Sequence, residues 1–233
     1  MSASSCSLCH FWSSSIGKKF VVAITGLVLV GFLAGHLSGN LLMYAGDNDQ
    51  GVKHFNEYAE FLHHMLHGAG VWIARIVLLT SLVLHVVATI QLTKANRASR
   101  EKRYECDATV KASKASRMMI WSGLTILAFV VFHILHFTVR VDSELYELAV
   151  TEKNAYGMVI AGFQSYLVCA FYILAMTLLC QHLSHGFSSI FQTLGLRSTN
   201  NAALIDCIAK GYTLFIWVGF VSIPVAVLAG WIH

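Results

Sequence analysis

Apolar residues in this chain gather into long uninterrupted stretches, and polar residues collect between them. Five stretches, 20–44, 70–93, 118–139, 156–183 and 211–232, each reach the ~20 residues a helix needs to cross the hydrocarbon core of a bilayer. A backbone surrounded by lipid must satisfy its own polar groups, so stretches of this length predict helices rather than strands. The expected fold is all-α: an integral-membrane bundle of five transmembrane helices forming a single membrane domain over 1–233, with 1–19 leading into the first span. Pro224 lies inside the fifth stretch, where a local kink is expected and neighbouring helices can re-satisfy the backbone group it frees. Lys18 and Lys19 ahead of an apolar run imitate a signal peptide, but the run continues to Leu42 and is read as a retained span.

Composition agrees with the pattern. Hydrophobic residues make up 56% of the 233 positions and charged residues 12%, about half the charged share of an ordinary soluble domain (~25%). The placement of the charges carries more information than their sum. Lys94, Arg97, Arg100, Lys102, Arg103, Lys111, Lys114 and Arg117 crowd the connection between the second and third spans, and Lys18 and Lys19 precede the first. The connection after the first span carries only Lys53 among Asp47, Asp49, Glu57 and Glu60, and the one after the third carries Asp142, Glu144, Glu147 and Glu152 around Arg140 and Lys153. By the positive-inside rule the basic segments and the N-terminus are expected in the cytoplasm, and the acidic connections and the C-terminus outside. The formal charge of +4 follows from these loops and needs no nucleic-acid partner.

The string CSLCH, from Cys6 to His10, has the Cys-x-x-Cys-His pattern of c-type haem attachment. That chemistry belongs to the outer side of bacterial membranes, whereas Cys6 and Cys9 precede the expected cytoplasmic end of the first span. They are read as free thiols. Cys106 and Cys207 fall in expected cytoplasmic segments and Cys169 and Cys180 within the fourth span, so no disulfide framework is suggested.

Within the five stretches there is no Asp or Glu, and Arg75 is the one formal charge. Histidine recurs instead: His36, His85, His133, His136, His182 and His185. Ionisable side chains at membrane depth are costly and mark functional sites, and neutral imidazole is a standard ligand for haem iron. At 1.5 Å rise per residue, His36 lies roughly 25 Å from Lys19 and His133 roughly 24 Å from Arg117, which places both in an outer layer. His85 lies only about 14 Å from Lys94, and His182 falls late in its stretch, about 37 Å from Gly157, which places both in an inner layer. Four helices with one histidine each, at two heights, suit two bis-histidine b-type haems stacked in the bundle: His36 with His133, and His85 with His182. His136 and His185 each sit three residues further on, and either could replace its neighbour as ligand or bond to propionates, backbone or quinone. Gly31, Gly35, Gly39, Gly123 and Gly186 flank the ligands, where small residues admit either a flat macrocycle or a neighbouring helix. His54, His63, His64 and His67 are read as a solvated cluster at the interface.

Four strings carry a family resemblance: SSSIGKKFVVAITGLVLVGFLAGHLSGNLL from Ser13, ARIVLLTSLVLHVVA from Ala74, SRMMIWSGLTILAFVVFHILHF from Ser116 and CQHLSHGFSSIFQTLG from Cys180. In this order and spacing the chain resembles the cytochrome b558-type subunit of succinate dehydrogenase and fumarate reductase, the five-helix, two-haem membrane anchor of succinate:quinone oxidoreductases in bacteria. The resemblance implies His36, His85, His133 and His182 as axial ligands, paired first helix with third and second with fourth. Gly123, ten residues before His133, and Gly186 and Phe187 after His182, match the family's pattern. It further implies two haem b, a quinone substrate, by resemblance menaquinone, and a flavoprotein and an iron–sulfur protein on the cytoplasmic face of a bacterial inner membrane. This chain has neither a dinucleotide-binding glycine motif after a strand nor a four-cysteine cluster pattern, so succinate chemistry would belong to those partners.

Quinone chemistry moves protons as well as electrons. One branch of the family uses a glutamate early in the second helix, and Glu57 and Glu60 fall in the comparable region. Arg75, near the outer end of the second span, is placed to pair with a haem propionate or to snorkel to the interface. Two other readings compete: the di-haem quinol-oxidising cytochrome b of another respiratory enzyme, and a histidine-containing transporter. The second usually places carboxylates at membrane depth and shows internal repeats.

Overall fold

Ser14 starts the first long helix: its backbone is extended and its hydroxyl accepts from Gly17 N at 2.9 Å, satisfying a donor that the first turn leaves orphaned. The computed structural model describes residues 7–98 and 114–233. Of the charged and thiol groups singled out above, Arg100, Lys102, Arg103, Lys111, Cys6 and Cys106 lie outside the described residues. A short helix α1 (Ser7–Ser13) leads into α2 (Ser15–Asn40). After a 3-10 turn and a loop come α3 (His54–His64) and α4 (Ala69–Ala98). The joint between them is sharp, because Leu66, His67 and Gly68 all adopt positive φ. Then follow α5 (Lys114–His133), prolonged by a π-helical segment to Val139, the short helices α6 (Ser143–Tyr146) and α7 (Ala155–Gly162), and the long helices α8 (Tyr166–Thr193) and α9 (Ala202–Leu228). The described elements are helical, apart from an isolated bridge between Asp47 and Lys53. Five of the helical stretches are long and apolar enough to cross a membrane.

Expected boundaries are corrected in the fourth and fifth stretches, the fourth crossing helix also running past 183 to Thr193. The fourth apolar stretch is broken, not continuous: α7 stops at Gly162, and the crossing helix begins only at Tyr166, after Ser165 in extended backbone. Hydropathy cannot see the break, since Tyr156 to Ala161 is as apolar as a span yet packs as a separate cap. His182 therefore sits about 24 Å from the start of its helix rather than 37 Å. The fifth helix starts earlier than 211, at Ala202, and so contains an acid. Asp206 pairs with Arg197 through two bonds of 2.7 and 2.9 Å and accepts from Ser188 at 2.7 Å. With its charge matched near the helix start, Asp206 escapes the cost that bars carboxylates from deeper positions.

The connections 45–68 and 140–165 meet at one end of the bundle, here the top. Asn56 joins them, giving Nδ2–H to Asn154 Oδ1 and accepting from Tyr156 N at 2.7 Å. Asn154 in turn caps α7 through Gly157 N. Lys18, Lys19, Lys94 and Arg97 lie at the opposite, bottom end. In between, α2 and α8 pack together, α4 lies on α2, α5 lies on α8, and α9 covers α8 and part of α2, while α4 and α5 touch sparingly. Close approach of α2 and α9 depends on Gly219. A Cβ there would fall 2.6 Å from Leu37, which is completely buried. Small residues of this kind are how helices associate where lipid removes the hydrophobic incentive.

Candidate functional site

The top layer of histidines is assembled by α2 and α5. The His36 and His133 rings face each other with centroids 5.8 Å apart and planes inclined by 77°. Phe32 stacks on His36 and Phe129 on His133, at 5.2 and 5.8 Å. Imidazole nitrogen sits about 2 Å from a metal it binds, so two imidazoles on opposite sides of one iron have centroids roughly 6 Å apart. The observed spacing is close to that value, with the rings edge to face and Asn40 Nδ2 3.4 Å from His36 Nδ1. His133 rather than His136 faces His36. Both, however, meet one hydroxyl: Tyr172 Oη lies 3.3 Å from His133 Nδ1 and 3.0 Å from His136 Nδ1. The hydroxyl has one proton, so it donates to one ring and accepts from the other. If His136 receives that proton, His133 Nδ1–H is the donor and His133 Nε2 keeps its lone pair. The π-helical segment starts directly after His133, and such segments often mark functional positions in helices.

The bottom layer is built from α4 and α8, but each histidine is held by a different neighbour. His85 Nδ1 lies 3.1 Å from Thr25 Oγ1 on α2, and His182 Nδ1 lies 3.3 Å from Ser122 Oγ on α5. Each hydroxyl also bonds to a carbonyl in its own helix: Thr25 to Val21 O at 2.6 Å, Ser122 to Met119 O at 3.1 Å. Next to each hydroxyl is a glycine that gives the imidazole room. A Cβ on Gly26 would lie 3.5 Å from His85 Cε1, and one on Gly123 would lie 3.6 Å from His182 Cε1. His185 has no hydrogen-bond partner among the described residues, so His182 is the anchored member of that pair.

The other flanking glycines divide. Gly31, Gly35 and Gly186 face open space, whereas Gly39 accommodates the Tyr58 ring, 2.5 Å from where a Cβ would be. Gly39 serves helix packing.

At the top end, Glu57 accepts from Asn48 Nδ2 at 2.6 Å and lies 2.9 Å from His54 Nδ1, while Glu60 is 3.8 Å from His64. Both carboxylates are exposed. They do not line the open groove of about 660 Å³ beside them, whose polar wall includes Lys53, Asn56, Glu152, Lys153 and Gln164. Lys53 is held above the usual lysine range by its hydrogen bond to Asp47, 2.8 Å away.

Arg75 lies against the Trp72 ring, 4.9 Å from its centroid, and is exposed. Its charge is felt by Arg140, which the sequence reading placed only as a loop charge. Arg140 has left-handed backbone (φ 58°) and a buried Nε without a hydrogen-bond partner. Among the described residues no carboxylate forms an ion pair with either arginine. Arg75 stands ten residues, about 15 Å, above His85 on α4, and His36 stands eleven, about 16 Å, above Thr25 on α2. The guanidinium of Arg75 thus belongs to the level of the top layer.

Compared with protein-family models, with curated proteins and with solved structures, the chain matches none. Among the described residues no three or more His, Cys, Asp or Glu side chains converge as a metal-ion cage. A porphyrin brings four of its iron's ligands and asks only two of the protein, so a pair of histidines is all such a group would need.

Proposed function

We propose that this chain is the membrane anchor of a succinate:quinone oxidoreductase and holds two haem b, His36 and His133 ligating at the top layer and His85 and His182 at the bottom. The observation that carries this reading is the meeting of the His36 and His133 rings at 5.8 Å beside stacked phenylalanines; one level down His85 and His182 each have Nδ1 held by a hydroxyl. When bound, the two haems supply one-electron carriers at two depths in an otherwise apolar bundle. The chain's own residues hold the imidazoles, exclude water and balance charge. Arg75 and Arg140, without carboxylate partners of their own, offer cations to the carboxylates of the upper haem.

The four-string resemblance supports the succinate/fumarate type over the cytochrome b of another respiratory enzyme, since each of the first four crossing helices gives one ligand. On this reading the basic bottom end faces the cytoplasm of a bacterium and receives an iron–sulfur protein and its flavoprotein. The quinone, of menaquinone type, reacts near the top end, where Glu57 and Glu60 lie open to water for proton exchange.

The test is purification of the tagged chain from native membranes in mild detergent. Co-purification of a flavin-containing and an iron–sulfur subunit, with succinate reducing the b-type haem, is expected. A haem-bearing chain that co-purifies with different subunits and ignores succinate would move the assignment to another respiratory enzyme.

A further inference from the structure

Thr25-Gly26-Leu27 and Ser122-Gly123-Leu124 are the same device on two helices. In each, a hydroxyl and a glycine are followed by a histidine ten residues after the glycine, His36 or His133. Eleven residues of α-helix make almost a whole number of turns, about three, so hydroxyl and histidine share a face some 16 Å apart. Each device therefore gives a histidine to the top layer and a hydroxyl to the bottom one. The hydroxyl chemistry is decided by proton count. Thr25 Oγ1 lies 2.6 Å from Val21 O, a distance two oxygens hold only with a proton between them, and a threonine hydroxyl has one. Its contact with His85 at 3.1 Å must then be Nδ1–H donating to the hydroxyl oxygen, with Val22 O beside it as a second acceptor for the same imidazole. Ser122 Oγ has the same two neighbours at longer range, Met119 O at 3.1 Å and His182 Nδ1 at 3.3 Å, and the parallel assigns it the same role. An imidazole that donates through Nδ1 is the tautomer whose Nε2 carries the lone pair, the form that binds a metal.

We infer that Thr25 and Ser122 are positioning residues for the bottom pair, fixing His85 and His182 in the metal-binding tautomer and raising the basicity of Nε2 through the Nδ1–H···O bond. This rests on the di-haem reading above and extends it to two residues outside the ligand set. A partner of this kind typically changes metal affinity by roughly 10–100-fold, and a more basic ligand favours ferric over ferrous iron.

The experiment is a redox titration of the purified complex, followed by optical and low-temperature EPR spectra, for parent, Thr25→Val, Thr25→Ser, Ser122→Ala and Ser122→Thr. Thr25→Val and Ser122→Ala should each raise the reduced fraction of one haem several-fold at fixed ambient potential and shift its low-spin ferric signal, or release that haem alone. The other haem should be untouched, and the hydroxyl-keeping variants Thr25→Ser and Ser122→Thr should behave as parent. Identical potentials and spectra for both haems in Thr25→Val and Ser122→Ala would overturn the inference while leaving the di-haem reading intact. So would loss of both haems in the two variants, which would assign the hydroxyls to helix packing. A parent without b-type haem would overturn the reading and the inference together.

Discussion

The His36 and His133 rings, 5.8 Å apart, are the pair on which a single substitution is most informative. His36→Leu fills similar volume with no lone pair, so the preparation should keep one haem and lose the other, read by haem-to-protein ratio. Full retention of both haems would remove His36 from the ligand set. Arg75→Gln takes a cation from the top layer. A nearby positive charge favours the reduced, more negative haem, so the upper haem's midpoint potential should fall, and an unchanged potential would leave Arg75 as a surface arginine resting on Trp72. At the quinone, Glu57→Gln and Glu60→Gln should slow quinone-linked turnover with both haems retained. Normal turnover in both variants would make these glutamates ordinary solvated carboxylates.

The histidines stand out in the sequence because ionisable side chains are costly in runs of Leu, Val and Phe, and four of them on four helices fall at two depths. Thr25 and Ser122 do not, since hydroxyls commonly bond back to their own helix and nothing local separates such a residue from one that also holds a distant histidine. The repeated hydroxyl-glycine-leucine before His36 and His133 was the available signal. Arg140 escaped as a site residue for a different reason. It lies beyond the third apolar stretch, and its left-handed backbone and buried Nε are products of tertiary structure.

At the level of elements, hydropathy located five crossing helices but misplaced the beginnings of two. Apolar length says that a segment avoids water and says nothing about whether it does so by crossing or by capping, which is why α7 was merged with α8. The break depends on Gly162, Gln164 and Ser165, three residues that interrupt the helix without lowering its hydropathy enough to show. Packing between elements has its own tight spot at Gly219. Gly219→Val would drive side-chain atoms into Leu37, fully buried on α2. Overpacking of this kind costs about 1–3 kcal/mol. The expected result is a lower temperature of haem release on heating in detergent. An unchanged release temperature would mean that α2 and α9 separate freely to admit the extra methyl groups.

Across the whole molecule, large apolar side chains point outward along the helices, among them Trp72, Ile76, Leu79 and Val83 on α4 and Leu167 and Leu174 on α8. On a soluble protein a patch of that size would promote association; here it is the lipid-facing surface of a multi-pass protein. Among the described residues most acids lie at the top and most lysines and arginines at the bottom, while the interior contributes its imidazoles at two heights. The most direct measurement is a dithionite-reduced minus oxidised spectrum of the purified protein, with haem extracted and quantified per chain. Two haem b per polypeptide, with an α band, is the expected result. A preparation with intact helical content that carries no porphyrin when isolated from haem-replete cells would contradict it.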